Sequence, residues 1–184
     1  PTVLKAVDAG FTSVMYDGSQ LPIAENIAGV KQVVAHAKPL RVSVEAEVGS
    51  VPYASGRDHI KSELTDVNEA IMMLEKAKPD VLAVSVGNVH RLENTFVDID
   101  FSFNKLREIC DNQGELVLSV DAHNFSFFRK LFALIPFDIL HPHQYNLAEY
   151  EHFLEKSGFS IDRKVVLKKE FFFDYWVLVA KPTH

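Results

Sequence analysis

The sequence predicts an α/β fold: an open, doubly wound, Rossmann-like sheet, mostly parallel, of about six strands with a C-terminal antiparallel hairpin. Three observations lead there. Short apolar runs of strand length (Phe11–Tyr16, Val42–Val48, Asp80–Val86) alternate with stretches whose apolar residues recur at helical spacing. The run from Asp80 to Val86 is nearly continuously apolar, as a parallel strand covered on both faces requires. Near the C-terminus only Lys168, Lys169 and Glu170 separate the strand-like runs Ser160–Leu167 and Phe171–Ala180, a hairpin spacing.

Taken in order, Val3, Leu4 and Val7 mark a short helix that stops at Gly10, where a helix end favours glycine. The strand Phe11–Tyr16 is closed by Asp17, Gly18 and Ser19. Pro22 suits the first turn of a helix, where its missing N–H is harmless. Ile23, Ile27, Val30, Val33 and Val34 give that helix its apolar stripe. In Val42–Val48 the valines and Ala46 alternate with Ser43, Glu45 and Glu47, so the two glutamates share a face. Residues 49–63 read as a polar connection. Thr65 or Asp66 caps a helix expected to bury Ala70, Ile71, Leu74 and Ala77. Further on come a helix around Asn104–Cys110, a turn at Asn112 to Gly114, the strand Glu115–Val120 and an aromatic helix over Phe125–Ile135. After a loop over Pro136–Gln144, Asn146 caps the helix Leu147–Lys156, which ends at Gly158. On the last strand Phe171, Phe173 and Tyr175 alternate with Phe172, Asp174 and Trp176, and one row is expected in the core.

Composition bounds what such a fold can do. A chain of 184 residues suits one domain, 1–184, with a sizeable core. A net charge of −6 argues against nucleic acid as a partner, which requires a basic face. No apolar run reaches the roughly 20 residues of a membrane span, and no signal pattern opens the chain, so a soluble, cytoplasmic protein is expected without membrane partners. The single cysteine, Cys110, excludes an intrachain disulfide framework and reads as a small hydrophobe. Of 14 phenylalanines only Phe11 precedes Phe96, while alanine is concentrated before His90. The shift suits either two layers of one fold or two segments of separate origin.

The chemistry sits at strand ends. Asp17 follows the first strand, Glu47 ends the second and His90 leaves the third, and parallel strands deliver all three to one edge of the sheet, where α/β folds place their sites. Two carboxylates and an imidazole suit a divalent transition metal, although a solvated edge has the same spacing.

Several stretches in this first half resemble the class II, metal-dependent ketose-bisphosphate aldolases. They are Ala9-Gly-Phe-Thr-Ser-Val-Met-Tyr-Asp-Gly-Ser19, Glu25 with Asn26, Val42-Ser-Val-Glu-Ala-Glu-Val-Gly49, Thr65 and Asp66 with Glu69 and Ala70, and Leu82-Ala-Val-Ser-Val-Gly-Asn-Val-His90. The resemblance, over residues 2–90, implies a fragment of a (β/α)8 barrel in which zinc polarises a ketose phosphate for C–C cleavage. It places Asp17 and Glu47 at the family's second metal position and His90 among the ligands of the catalytic zinc, with Glu45 as a supporting partner. It also exposes departures. The family's His-x-Asp-His segment is not found in these residues, its glycine-rich phosphate loop is replaced by Val120-Asp-Ala-His-Asn124 with His123 out of register, and Arg91 stands where a glycine is expected.

From Glu115 onward the sequence resembles class I S-adenosylmethionine-dependent methyltransferases. Gly114-Glu-Leu-Val-Leu-Ser-Val120, His141-Pro-His-Gln-Tyr-Asn-Leu-Ala-Glu-Tyr150 and the closing strand Lys169–Lys181 carry the likeness. Cofactor binding is not expected, because Gly10, Gly18 and Gly29 are too scattered for a glycine-rich loop. The His141-x-His143 pair has a metal-binding spacing but sits in a loop beside Pro142. Phe125, Phe127, Phe128, Phe132 and Phe137 suit a core or an apolar pocket.

The sequence therefore leads to a chimera with an aldolase-like segment, 1–90, and a methyltransferase-like segment, 91–184. It is expected to be a scaffold without complete catalysis that retains a divalent-metal site at Asp17, Glu47 and His90. Zinc is the candidate metal, a sugar phosphate the candidate small-molecule partner, and self-association through exposed sheet edges is open. The alternatives are metal-dependent cleavage of a ketose bisphosphate and methyl transfer; no catalytic residue is assigned.

Overall fold

The computed structural model describes residues 2–51, 63–88, 98–111, 113–124 and 145–183. The chain divides into two compact units, Pro1–Arg91 and Leu92–His184, where the sequence predicts one domain carrying two segments.

In the first unit the order is α1 (Thr2–Asp8), β1 (Ser13–Tyr16), α2 (Ile23–Ala37), β2 (Ser43–Val48), α3 (Val67–Lys76) and β3 (Val81–Val84). The strands form a parallel sheet in the order β1-β2-β3, with Tyr16 level with Ala46 and Ala46 level with Leu82. Helix α2 enters at Pro22 and buries Ile27, Val30, Val33 and Ala37, one face at helical spacing. That face spans two clusters. One joins Val33 and Ala37 to Val7, Val14, Val42 and Val44; the other joins Ile27 and Val30 to Ala46, Val48, Met73 and Ala77. The alternation expected in β2 holds, with Val44, Ala46 and Val48 nearly inaccessible.

Helix α3 buries Ala70 and Ala77 as expected but not Ile71 and Leu74. Asp66 is its N-cap, accepting from the amides of Asn68 (2.9 Å) and Glu69 (3.1 Å). The buried residues are Ala70, Met73 and Ala77, while Ile71 and Leu74 are exposed. Both stripes have helical periodicity. Met73 and Ala77 pack against Ile27 and Val30 of α2 and Ala46 and Val48 of β2, the flexible Met73 filling the space between them.

The second unit contains α4 (Ile99–Ile109), β4 (Leu116–His123), α5 (Leu147–Lys156), β5 (Phe159–Lys169) and β6 (Phe173–Pro182). Its strands form an antiparallel sheet in the order β4-β6-β5. The C-terminal hairpin is present, with β5 paired to β6 and register shifts between Ile161 and Arg163 and between Val166 and Lys168. The described strands thus form one parallel and one antiparallel sheet, in place of the single, mostly parallel sheet predicted. The reason lies in β6: it runs antiparallel between β4 and β5, a pairing across distant sequence that strand periodicity alone does not encode.

Helix α5 carries a capping box, Asn146 accepting from the Glu149 amide (2.9 Å) and Glu149 accepting from the Asn146 amide (2.8 Å). Phe103 of α4 meets Phe153 of α5 edge to face at 6.5 Å. On β6 the core residues are Leu178, Val179 and Ala180. Neither aromatic row at its start is fully buried: Phe173, Tyr175 and Trp176 are half-buried, and Phe171 and Phe172 are exposed. No described helix is long and apolar enough to cross a membrane.

Candidate metal centre at the edge of the parallel sheet

The carboxyl ends of β1, β2 and β3 share one edge of the parallel sheet, and a chain of short-range bonds holds them in register. Asp17 is the first residue after β1. Its Oδ1 accepts from the Ser19 amide at 3.0 Å and the Ser19 hydroxyl at 2.6 Å, so a local turn pins an exposed carboxylate. Gly18 follows because Asn26 and Tyr16 close over it: a Cβ there would lie 2.8 Å from Tyr16 Cε1 and collide with Asn26 Oδ1.

Asn26, in the first turns of α2, is buried and donates through Nδ2 to the Glu47 carbonyl at 2.8 Å. That bond fixes the amide orientation, since only the nitrogen can donate to a carbonyl. Asn26 Oδ1 is consequently a buried acceptor with no hydrogen-bond partner among the described residues.

Glu47, the penultimate residue of β2, is only 9% exposed. Burial pushes its carboxyl above the usual carboxylate range, and the negative charges of Asp17 and Glu45 push it further; a hydrogen bond with the Val51 backbone opposes them. Glu47 is thus a buried carboxyl facing a like charge, with the buried Asn26 amide on its backbone.

A residue read from sequence as a candidate cap and as part of an aldolase-like motif, with no bonding role assigned, closes the other side. Thr65 is 1% exposed; its hydroxyl donates to the Val48 carbonyl at 2.5 Å and accepts from the Ser85 amide at 2.8 Å, stitching the end of β2 to the end of β3. The Ser85 hydroxyl reaches the Ser50 carbonyl at 3.2 Å, and Ser50 exchanges backbone bonds with Glu63. Gly49 sits in the left-handed region at φ 79°, and a Cβ there would press on Thr65 Oγ1 at 2.7 Å. Threonine before aspartate at a helix start signals a cap, and nothing in that pattern signals a bridge between strands. The Asn26 bond to Glu47 is equally silent in sequence.

Of the predicted metal residues, Asp17 and Glu47 are brought together, and Glu45 lies near enough to act on Glu47 electrostatically. His90 lies outside the described residues, as do His141, His143 and the phenylalanines from Phe125 to Phe137. Among the described residues no group of three or more His, Cys, Asp or Glu side chains is arranged to hold a metal. His123, at the end of β4, is buried with its ring 4.6 Å from that of Phe173. Cys110 is half-buried, and burial, with the charge of Asp111 adding, pushes its thiol up, away from reactivity.

The two carboxylates are hard donors, the ligand chemistry that divalent cations take, and a cation beside them would offset the repulsion that disfavours ionised Glu47.

The first unit is similar in sequence to known aldolases. The 6-phospho-5-dehydro-2-deoxy-D-gluconate aldolase of Halalkalibacterium halodurans is 49% identical over 86 residues, 47% of this chain and 30% of that protein. A fructose-bisphosphate aldolase of Streptococcus pneumoniae is 40% identical over 87 residues, 47% of this chain and 29% of that protein. The chain therefore spans about 30% of the length of the curated relatives it matches. A methyltransferase from Burkholderia thailandensis, solved with 1,6-didemethyltoxoflavin and S-adenosylhomocysteine, aligns with the whole chain and 76% of its own, at 12% identity. Its TM-score of 0.37 carries no argument for fold or function. The model of the family described as "Fructose-bisphosphate aldolase class-II" matches residues 1–120, past the limit of 90 read from motifs. With well over half of its 184 residues matched, the chain belongs to the class-II fructose-bisphosphate aldolase family.

Proposed function

We propose that this chain carries the carboxylate side of a divalent-metal site of the kind used in metal-dependent aldol chemistry, with Asp17, Glu47 and His90 as ligands and Glu45 in support. The observation that carries the proposal is the buried Glu47 carboxyl, raised by burial and by the Asp17 charge beside it. A bound zinc would supply Lewis-acid polarisation of a ketose carbonyl. The chain's own contribution is positional: Ser19 fixes Asp17, Asn26 holds the Glu47 backbone, and Thr65 locks β2 to β3 beneath the site.

Within these 184 residues the site acts as a scaffold that binds a cation without completing cleavage. The replacement of the glycine-rich phosphate loop by Val120-Asp-Ala-His-Asn124 supports this. A sugar phosphate remains the substrate class that the family suggests. The chimeric reading draws support from the boundary of the two compact units at Arg91 and Leu92 and from the antiparallel β4-β6-β5 sheet that follows it.

The test is calorimetric titration of the full chain with Zn2+, repeated with Co2+ to read its visible bands. The expected result is binding that weakens at least tenfold in a D17N/E47Q variant. Equal binding by the variant would remove the site. In a coupled assay with fructose or tagatose bisphosphate, no EDTA-sensitive cleavage is expected; such cleavage would overturn the scaffold reading.

A further inference from the structure

The opposite edge of the parallel sheet, where β2 and β3 begin, holds a cleft of about 210 Å3 that the metal centre does not use. Its lining includes Lys38, Arg41 and Lys78 together with Val42, Ser43 and Val44. Among the described residues none of the three cations has an ion-pair partner, as is also true of Lys5, Lys31 and Lys76 of the same unit; what distinguishes the three is that they line one cleft. The one acidic group on the lining, Asp80, is turned to the strand: its Oδ2 accepts from the Val44 amide at 2.8 Å, and its own amide donates to the Val44 carbonyl at 2.8 Å. The cleft therefore carries an excess of positive charge in a chain whose net charge is −6.

Backbone conformation is the second observation. Arg41, which ends the short 3-10 turn after α2, has φ 57° and ψ 35°, and Lys78, just after the α3 C-cap, has φ 55°. They are the two non-glycine residues with positive φ among those described. Helices commonly end in this left-handed conformation, and glycine is the residue that adopts it without strain. Here both positions carry long cations instead, and both line the same cleft. A role limited to the helix termini needs positive charge near the last carbonyls. It does not need strained residues at two separate helix ends to meet over one hollow. Strain of this kind is retained where function requires the side chain.

We propose that this cleft is a binding site for a phosphate dianion, free or as the phosphate of a small phosphomonoester. Lys38, Arg41 and Lys78 supply the charge, and Ser43 supplies a hydrogen bond. Arg41 offers the forked donor geometry that matches phosphate oxygens, and the volume admits little more than the anion and a short substituent. The site is separate from the metal centre and stands whether or not that centre binds zinc.

The test uses the full chain and a R41G/K78G variant. Glycine relieves both left-handed positions, so the variant is expected to fold at least as stably in chloride buffer. In the wild type, raising inorganic phosphate from 0 to about 20 mM at constant ionic strength should lift the unfolding midpoint saturably, by about 3–6 °C. The 31P resonance of phosphate should broaden in parallel. Both effects should vanish in R41G/K78G and persist in a K5A/K31A control that removes the same charge elsewhere. Parallel titrations with glycerol 3-phosphate identify the source: tighter binding than inorganic phosphate assigns the site to a phosphomonoester, and equal or weaker binding assigns it to the free anion. Equal midpoint shifts in wild type and R41G/K78G, no 31P broadening, or loss of both effects in K5A/K31A would each overturn the proposal.

Discussion

Replacing Thr65 by valine keeps the side-chain shape and deletes only the hydroxyl that joins β2 to β3. The Val48 carbonyl then loses a donor at 2.5 Å and the Ser85 amide loses an acceptor at 2.8 Å. Both lie under a side chain that is 1% exposed, so water cannot replace either partner without the structure opening. Leaving one buried polar group unsatisfied costs about 1–3 kcal/mol, and the carbonyl retains a second lone pair, so T65V should lose about 2–4 kcal/mol. Urea denaturation followed by far-ultraviolet circular dichroism would show this as a midpoint lower by about 1–2 M, with the slope unchanged. Hydrogen exchange makes the test local: the Ser85 amide should exchange at least about tenfold faster in T65V. T65S keeps the hydroxyl and should lose about 1 kcal/mol, for the missing methyl group. If T65V matches the wild type within about 0.5 kcal/mol, or T65S and T65V lose the same amount, the hydroxyl bridge does not hold the two strand ends together.

Glu47→Gln should raise the stability of the metal-free protein at pH 7, because it removes a buried charge that faces Asp17. The Glu47 carboxyl is raised on folding, so its protonated form favours the native state at low pH and that contribution is lost as pH rises through the folded-state value. The advantage of E47Q in EDTA buffer should accordingly shrink on acidification toward pH 4; an advantage that grows instead would reverse the assignment. Tyr150 provides the alkaline counterpart. Burial pushes its phenol up to about 12, with the Asp121 charge adding and a hydrogen bond with the Tyr145 backbone opposing. Absorbance titration near 295 nm should show one of the five tyrosines ionising near pH 12, a step absent in Y150F, with the fold losing stability as pH rises through that value. Ordinary ionisation of all five would refute the buried phenol.

Much of the first unit was legible in sequence because its signals are local. The alternation Val42-Ser-Val-Glu-Ala-Glu-Val48 defines both faces of β2, and the helical stripe of α2 defines the core it covers. Parallel β/α succession was enough to assign Asp17 and Glu47 to one edge, whereas the strand order β1-β2-β3 was not legible. The support beneath that edge was not legible. Thr65 and Asn26 act on backbone atoms 17 and 21 residues away, and such bonds leave no spacing pattern in the chain. In α3 the expected face of Ala70, Ile71, Leu74 and Ala77 is half right: Ala70 and Ala77 are buried, but Met73, packed against α2 and β2, takes the place in the core expected for Ile71 and Leu74. In the second unit the hairpin was visible from its short connection. The insertion of β6 between β4 and β5 was not, because that pairing depends on β4, whose partners lie some 60 residues later.

The shape of β5 bears on how this protein behaves at high concentration. Among the described residues it pairs on one side only, and Val165, Val166 and Leu167 lie open to solvent near its end. A long, flat strand of this composition would template the stacking of further chains into cross-β aggregates. The two register shifts in the pairing with β6 prevent β5 from being flat, and Arg163, Lys164, Lys168 and Lys169 set like charges against any copy approaching in register. The irregularities that weaken the hairpin as a sheet therefore act as gatekeepers, trading ladder regularity for solubility at this exposed edge.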